Sequence, residues 1–192
     1  MNSYISMNIL FTLTYFIWLI SEIVLNRMLR SKSTDKQNAD KNTLTIIWVT
    51  VVVAVMLAVF ISMNVYFPIS KNPQVKYIGL AIIYIGILLR LASIVGLGRF
   101  FTVDVTIRED HKLKTDGLYK FLRHPSYFAS LLTFVGFGIS LNNWLSLILV
   151  TAAVIVVFRM RINIEEKILI EQFGDEYRAY RKRVKGLIPF VW

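Results

Sequence analysis

The sequence predicts an all-α integral membrane protein with five transmembrane helices, the N-terminus outside, the C-terminus in the cytoplasm, and an amphipathic C-terminal helix. Three observations predict it. Apolar residues make up 56% of the 192-residue chain and charged residues 18%, with a mean hydropathy of +0.57; soluble domains average roughly 45–50% and 25%. The apolar residues gather into five runs, at 4–25, 44–67, 77–97, 127–141 and 144–158. Between the runs the basic residues alternate: five in the 26–43 loop, two in 68–76, six in 99–123, none at Asn142-Asn143 and eight in the 159–192 tail. Nineteen therefore fall on one side against two on the other, the bias that keeps basic loops in the cytoplasm.

Each run has its own reasons. A bilayer crossing takes roughly 20 apolar residues, and the first run meets that without a basic segment ahead of it; its flanking charges, Arg27 and Arg30, follow it. It is therefore read as a span and not as a cleavable leader. The second run has no charge over 49–61, and the third is interrupted by Arg90 alone. The last two are short, which implies tilt, local thinning or interfacial anchoring, and the turn-forming pair Asn142-Asn143 makes them a helical hairpin. In the tail, Leu169, Phe173, Tyr177, Tyr180 and Val184 recur at spacings of 4, 4, 3 and 4, which is one helical face. Gly174 followed by Asp175 predicts a break and a new helix start. Arg178, Arg181, Lys182 and Arg183 occupy the opposite face. Such a helix either lies on anionic headgroups or closes over a site at the membrane surface.

Composition also narrows the chemistry. The chain has no cysteine, 9 glycines, 4 prolines and a net charge of +10. It therefore has no thiolate nucleophile and no cysteine-based zinc site. The basic residues sit in membrane loops and carry topology, so no nucleic-acid partner is expected. There is no G-x-G-x-x-G and no P-loop sequence, and two histidines, His111 and His124, are too few for a metal centre; no metal is expected. What remains lies at the membrane boundary. Arg90 inside a span is either functional or snorkels to the headgroups. Arg161 and Glu165 share a helical face at i and i+4, as an ordinary surface pair or as part of a site. Arg123-His124-Pro125-Ser126-Tyr127 opens the fourth run, where proline suits a helix start and free N–H groups favour an anion; a plain membrane-entry cap has the same form. Together these residues describe a basic, aromatic-rimmed pocket on the cytoplasmic side and name no reaction.

The order of these words carries a resemblance. Gly117-Leu118-Tyr119, the RHPSY segment, Arg161 with Glu165-Glu166, Phe173-Gly174-Asp175-Glu176-Tyr177 and Leu187-Ile188-Pro189-Phe190 resemble the isoprenylcysteine carboxyl methyltransferase family, within a wider group that includes phospholipid methyltransferases. The resemblance covers about 85–192, which it marks as a methyltransferase core; residues 1–84 hold two N-terminal spans and the start of the third. It implies S-adenosyl-L-methionine as cofactor, held by His111, Lys112, Leu113, Lys114, Tyr119, His124, Pro125, Ser126, Tyr127 and Glu165. It implies catalytic roles for Arg161, Arg90 and Glu165, with Arg161 on the substrate side. Lys114 departs from the pattern, where an apolar residue is expected. The implied reaction is in-line attack of a substrate carboxylate on the sulfonium methyl, without a metal. The implied substrate is a lipophilic small molecule or prenylated protein that enters from the membrane lipid, with the site facing the cytoplasm. The short chain suggests a prokaryotic cell membrane. Rival readings are a methyltransferase acting on a phospholipid amine or lipid hydroxyl, a sterol-type NADPH membrane reductase, and a non-catalytic membrane scaffold.

Overall fold

In a computed structural model, the chain is described over residues 2–28, 43–101 and 112–187, with side chains from residue 9 onward. Five α-helices follow one another: α1 (Asn2–Met28), α2 (Thr43–Asn64), α3 (Val75–Leu97), α4 (Pro125–Ser140) and α5 (Trp144–Arg183). Short 3₁₀ turns at Gly98–Phe100 and Gly117–Lys120 flank the third loop. Four segments are long and apolar enough to cross a bilayer: Ile9–Met28, Thr43–Asn64, Val75–Phe100 and Trp144–Arg183. At 16 residues, α4 is about 24 Å long, short of a hydrocarbon core of about 30 Å.

The fifth apolar run does not end as a short helix. It opens a 40-residue helical segment that is broken at Gly174; the 30 residues before the break span about 45 Å, more than a hydrocarbon core of about 30 Å, so the helix runs on past its apolar part as the tail. Residues 159–173 contain no proline or glycine to stop it. The break falls at Gly174, whose φ of 54° and ψ of −124° suit glycine because a Cβ is disfavoured there. Beyond it, Asp175 pairs with Arg178 at 3.0 Å.

The hairpin between α4 and α5 has the expected turn. Asn142 adopts φ 52°, which asparagine tolerates better than most residues, and the Asn143 side chain caps α5 by accepting from Ser146 N at 3.1 Å. The same turn ties to the α2–α3 loop. Asn142 Oδ1 accepts from Ser70 N and its Nδ2 donates to Ser70 O, both at 3.0 Å, while Asn143 Nδ2 donates to Val65 O at 2.7 Å. The two connections with few or no basic residues thus share one end of the bundle.

Three sets of contacts arrange the helices around the site. α3 and α4 touch backbone to backbone through Gly79 and Gly136: a Cβ on Gly79 would lie 2.4 Å from Ser140 N, and one on Gly136 would lie 2.7 Å from Gly79 O. Small residues permit this close approach where helices have no hydrophobic drive to associate. α2 packs on α5 through Ala54 and Ala58 against Val150 and Val154, and Ser146 Oγ donates to Ala58 O at 2.7 Å. α1 is held by aromatic side chains, with Trp18 edge-on to Phe134 at 4.9 Å and Tyr15 edge-on to Phe137 at 5.3 Å. Its outer face, including Ile9, Leu13, Phe16 and Ile20, stays exposed, as a lipid-facing helix requires.

Candidate active site

The charged end of the bundle is organised by the chain returning on itself. After α5, Lys185 and Gly186 run beside the RHPSY segment: Arg123 N donates to Lys185 O at 2.8 Å and His124 N to Gly186 O at 3.1 Å. Glu166 gathers the surrounding side chains. Its Oε1 accepts from Arg123 Nε at 2.8 Å and lies 2.6 Å from Arg123 Nη2 and 3.2 Å from His124 Nε2; its Oε2 lies 3.2 Å from Arg181 Nε. Arg123 Nη1 also donates to Val184 O. Glu166 lies two turns past the apolar part of α5. Burial pushes its carboxyl upward, but the bonds from His124 and Arg123 outweigh this and hold it down to about 2, so it is an ionised anchor.

The preceding loop is held in the same way. Tyr180 Oη donates to Tyr119 O at 2.5 Å, and Tyr119 Oη donates to Ser93 O at 3.3 Å. Burial, with the Glu165 charge nearby, pushes the Tyr119 phenol well above its ordinary range, so it remains a neutral donor.

Above this layer lies a cavity of about 540 Å³. Arg161, Glu165, Arg90, Leu113, Lys114, Tyr119, His124, Pro125, Ser126 and Tyr127 all line it, so the structure brings together all but two of the residues singled out from sequence. Lys112 is exposed and is not among the lining residues; His111 lies outside the described residues, as do Ile188, Pro189 and Phe190. Lys114 pairs with Asp116 at 2.8 Å. From this polar end the cavity runs along α2 from Leu44 to Val59, about 22 Å, between walls that include Val51, Val55, Trp18 and Phe134.

Three readings change. An exposed Arg161–Glu165 surface pair does not survive, because Arg161 is 1% exposed and donates to Thr43 Oγ1 at the start of α2. Glu165 interacts electrostatically with it and takes a hydrogen bond from the Tyr127 side chain. Arg90 does not snorkel outward; it pairs with Glu22 of α1 at 3.0 Å and donates to Ser130 Oγ. The tail closes on the cavity, since Tyr177 and Tyr180 are buried and line it while Arg178, Lys182 and Arg183 are exposed.

Sequence reasoning missed Glu22, Thr43 and Ser130 as site residues. It put Tyr177 and Tyr180 on a helix face that either lies on headgroups or closes over a site, placed Arg123 in the pocket-forming segment without a role of its own, and quoted Glu166 only within a motif. For Glu22 a signal existed: a lone carboxylate late in the first apolar run, matching a lone arginine late in the third. Among the described residues no group of three or more His, Cys, Asp or Glu is placed to hold a metal ion.

Comparison with known proteins gives the site its chemical setting. Residues 78–171 match the family model for isoprenylcysteine carboxyl methyltransferase. Over 135 residues the chain is 38% identical to "Protein-S-isoprenylcysteine O-methyltransferase B" of Arabidopsis thaliana, covering 69% of this chain and 68% of that protein. The chain belongs to the isoprenylcysteine carboxyl methyltransferase family. "Protein-S-isoprenylcysteine O-methyltransferase" of Schizosaccharomyces pombe is 36% identical over 58% of this chain and 48% of its own length. The solved structure of a eukaryotic intramembrane Ras methyltransferase, isoprenylcysteine carboxyl methyltransferase, superposes with a TM-score of 0.61 at 30% identity, covering 81% of this chain and 55% of that one. The chain thus spans about half the length of these last two. These relatives are eukaryotic and lend the expected prokaryotic source no support. In this family member, Glu22, Thr43, Trp18, Tyr177 and Tyr180 all lie outside the matched segment 78–171, yet all but Thr43 line the cavity.

Proposed function

We propose that this chain is an S-adenosylmethionine-dependent carboxyl methyltransferase that esterifies an isoprenylcysteine-like lipid at the cytoplasmic face of a membrane it crosses five times, N-terminus outside. The observation that carries this is the single cavity that joins a charged end, rimmed by Arg161, Arg90 and Glu165, to a long apolar channel between α1, α2 and α4. An acceptor with a carboxylate head and an isoprenoid tail matches both ends at once, and the tail gains burial along the channel.

The residues also suit the cofactor. The Glu165 carboxylate can accept from an ammonium or from ribose hydroxyls, and the faces of Tyr119 and Tyr127 favour a cation. When bound, S-adenosylmethionine supplies an electrophilic methyl group on a sulfonium. The protein's part is to place the acceptor. Arg161 orients a carboxylate through its planar fork, and no strong general base is needed because that carboxylate is ionised at neutral pH. Burial of Arg161 and His124 keeps water from competing.

Calorimetry with S-adenosylhomocysteine and with NADPH tests the cofactor assignment. The homocysteine compound is expected to bind and NADPH not to. His124→Ala and Tyr127→Ala should each weaken that binding about tenfold or more; unchanged affinity in both variants, or binding of NADPH alone, contradicts the assignment. The topology is tested by a reporter at the C-terminus, expected to be active only in a cytoplasmic form; activity of an export-dependent reporter there contradicts it.

A further inference from the structure

The apolar end of the cavity is shut by α1. Away from the charged end this helix closes on α3 and α4: Thr14 Oγ1 and Tyr84 Oη are hydrogen-bonded at 3.0 Å, and the Phe11 and Tyr77 rings lie 5.8 Å apart. Tyr15 makes the next contact. Ser140 Oγ donates its one proton to Phe137 O at 2.6 Å, so it accepts from Tyr15 Oη, also at 2.6 Å. The Tyr15 ring is thereby fixed edge-on to Phe137 at 5.3 Å. Tyr15, Phe137 and Val59 of α2 are the lining residues of their helices farthest from the charged end, whereas Phe11 and Thr14 do not line the cavity.

The channel therefore has a length. Its charged end is set by Arg161, which donates to Thr43 Oγ1, and from there Leu44 to Val59 of α2 covers about 22 Å. A carbon–carbon bond of about 1.5 Å advances an extended chain by about 1.25 Å, which gives about 14 Å for a farnesyl chain and about 19 Å for a geranylgeranyl chain. The cysteine between carboxylate and chain adds about 6 Å. A farnesylated acid thus spans about 20 Å and fills the channel, and one more isoprene unit runs into the Tyr15 ring. The flank toward the bilayer is open, since Val52 and Met56 line the channel and stay exposed. An over-long tail has to bend out there into lipid.

We infer that Tyr15 sets the length of isoprenoid this chain accepts, closing the channel behind a farnesyl group, with Ser140 as the positioning residue that holds the ring. The inference rests on the carboxyl methyl transfer proposed above and deepens it, because it selects one acceptor within the isoprenylcysteine class. It also gives α1, which lies outside the family-matched segment, a part in choosing the acceptor. Burial does not favour the longer tail, because the bilayer is as apolar as the channel; fit decides. A group that misfits an apolar pocket is rejected about tenfold or more, and the open flank keeps the rejection partial.

The test is a competition in lipid nanodiscs. The full chain and methyl-labelled S-adenosylmethionine are given N-acetyl-S-farnesylcysteine and N-acetyl-S-geranylgeranylcysteine at equal mole fraction in one bilayer, and the ratio of labelled products reads relative kcat/KM. The wild-type chain is expected to favour the farnesylated acid about tenfold. Tyr15→Ala should bring the ratio down to about one by raising turnover of the longer acid, and Ser140→Ala, which frees the ring, should lower it about two- to fivefold. A role of Tyr15 in packing alone would slow both acceptors together and leave the ratio unchanged, which overturns the inference. S-adenosylhomocysteine affinity checks folding, and if Tyr15→Ala does not hold that ligand, Val59→Phe decides. Val59 is 37% exposed, and a phenylalanine there shortens the channel. Turnover of the farnesylated acid should then fall about tenfold against the geranylated acid, which is one isoprene unit shorter; an unchanged preference again overturns the role. A wild-type chain that methylates neither acid contradicts the proposed function itself, whereas equal methylation of the farnesylated and geranylgeranylated acids contradicts the length limit alone.

Discussion

Replacing Arg161 with lysine is expected to lower catalytic efficiency roughly 10- to 150-fold, the kinetic equivalent of losing one charge-assisted hydrogen bond of about 1.5–3 kcal/mol. Lysine keeps the positive charge but not the planar fork. Arg161 is 1% exposed, and its Nη1 is engaged by Thr43 Oγ1. A lysine there would have one nitrogen to serve Thr43, Glu165 and an acceptor carboxylate together. Affinity for S-adenosylhomocysteine should stay within about threefold, because the change removes a bond to the acceptor and not to the cofactor. Measuring both constants on Arg161→Lys separates the two roles. Near-normal turnover would reduce Arg161 to a structural partner of Glu165, and an equal loss in both constants would place it on the cofactor.

The second large effect is on stability. Glu166→Ala is expected to destabilise the fold by about 3–5 kcal/mol, as when one partner of a buried ion pair is removed. Arg123, whose side chain is 10% exposed, would be left with backbone carbonyls alone at the point where Lys185 and Gly186 dock. Arg181→Ala should cost less than about 1 kcal/mol, because that side chain is 51% exposed and solvent screens it. Thermal unfolding of both variants in the same lipid decides the comparison; equal melting temperatures would contradict a central role for Glu166. Acid gives the same contrast. The folded carboxyl lies near 2 against an ordinary 4.5, so its stabilisation is complete above about pH 4.5 and is lost as the pH falls towards 2.

Much of this architecture was legible because it is local. Apolar runs, the Asn142-Asn143 turn and the glycine at position 174 each declare themselves within a few residues. The length of α5 was not, since the apolar run ends at Phe158 while the helix continues through charged residues that have no reason to break it. The site was legible as a set of residue types and not as a set of partners. Glu165 and Glu166 are neighbours in the string, yet one step turns a helix by about 100°. Glu165 therefore faces Tyr127 and the cavity, and Glu166 faces Arg123, His124 and Arg181. Glu22 and Arg90 become partners through the packing of α1 on the bundle, which hydropathy does not encode. The docking of Lys185 and Gly186 on the RHPSY segment uses backbone groups and leaves no mark in the sequence at all.

The central claim is that the acceptor atom is a carboxylate oxygen on an isoprenoid lipid. Incubating the chain in nanodiscs with methyl-labelled S-adenosylmethionine and N-acetyl-S-farnesylcysteine, then treating the product with mild base, tests it directly. The account predicts label in the farnesylated product that base releases as methanol, as a methyl ester requires, with none on the corresponding carboxamide. Label that resists base, or that appears on phospholipid in place of the farnesylated acid, would contradict it.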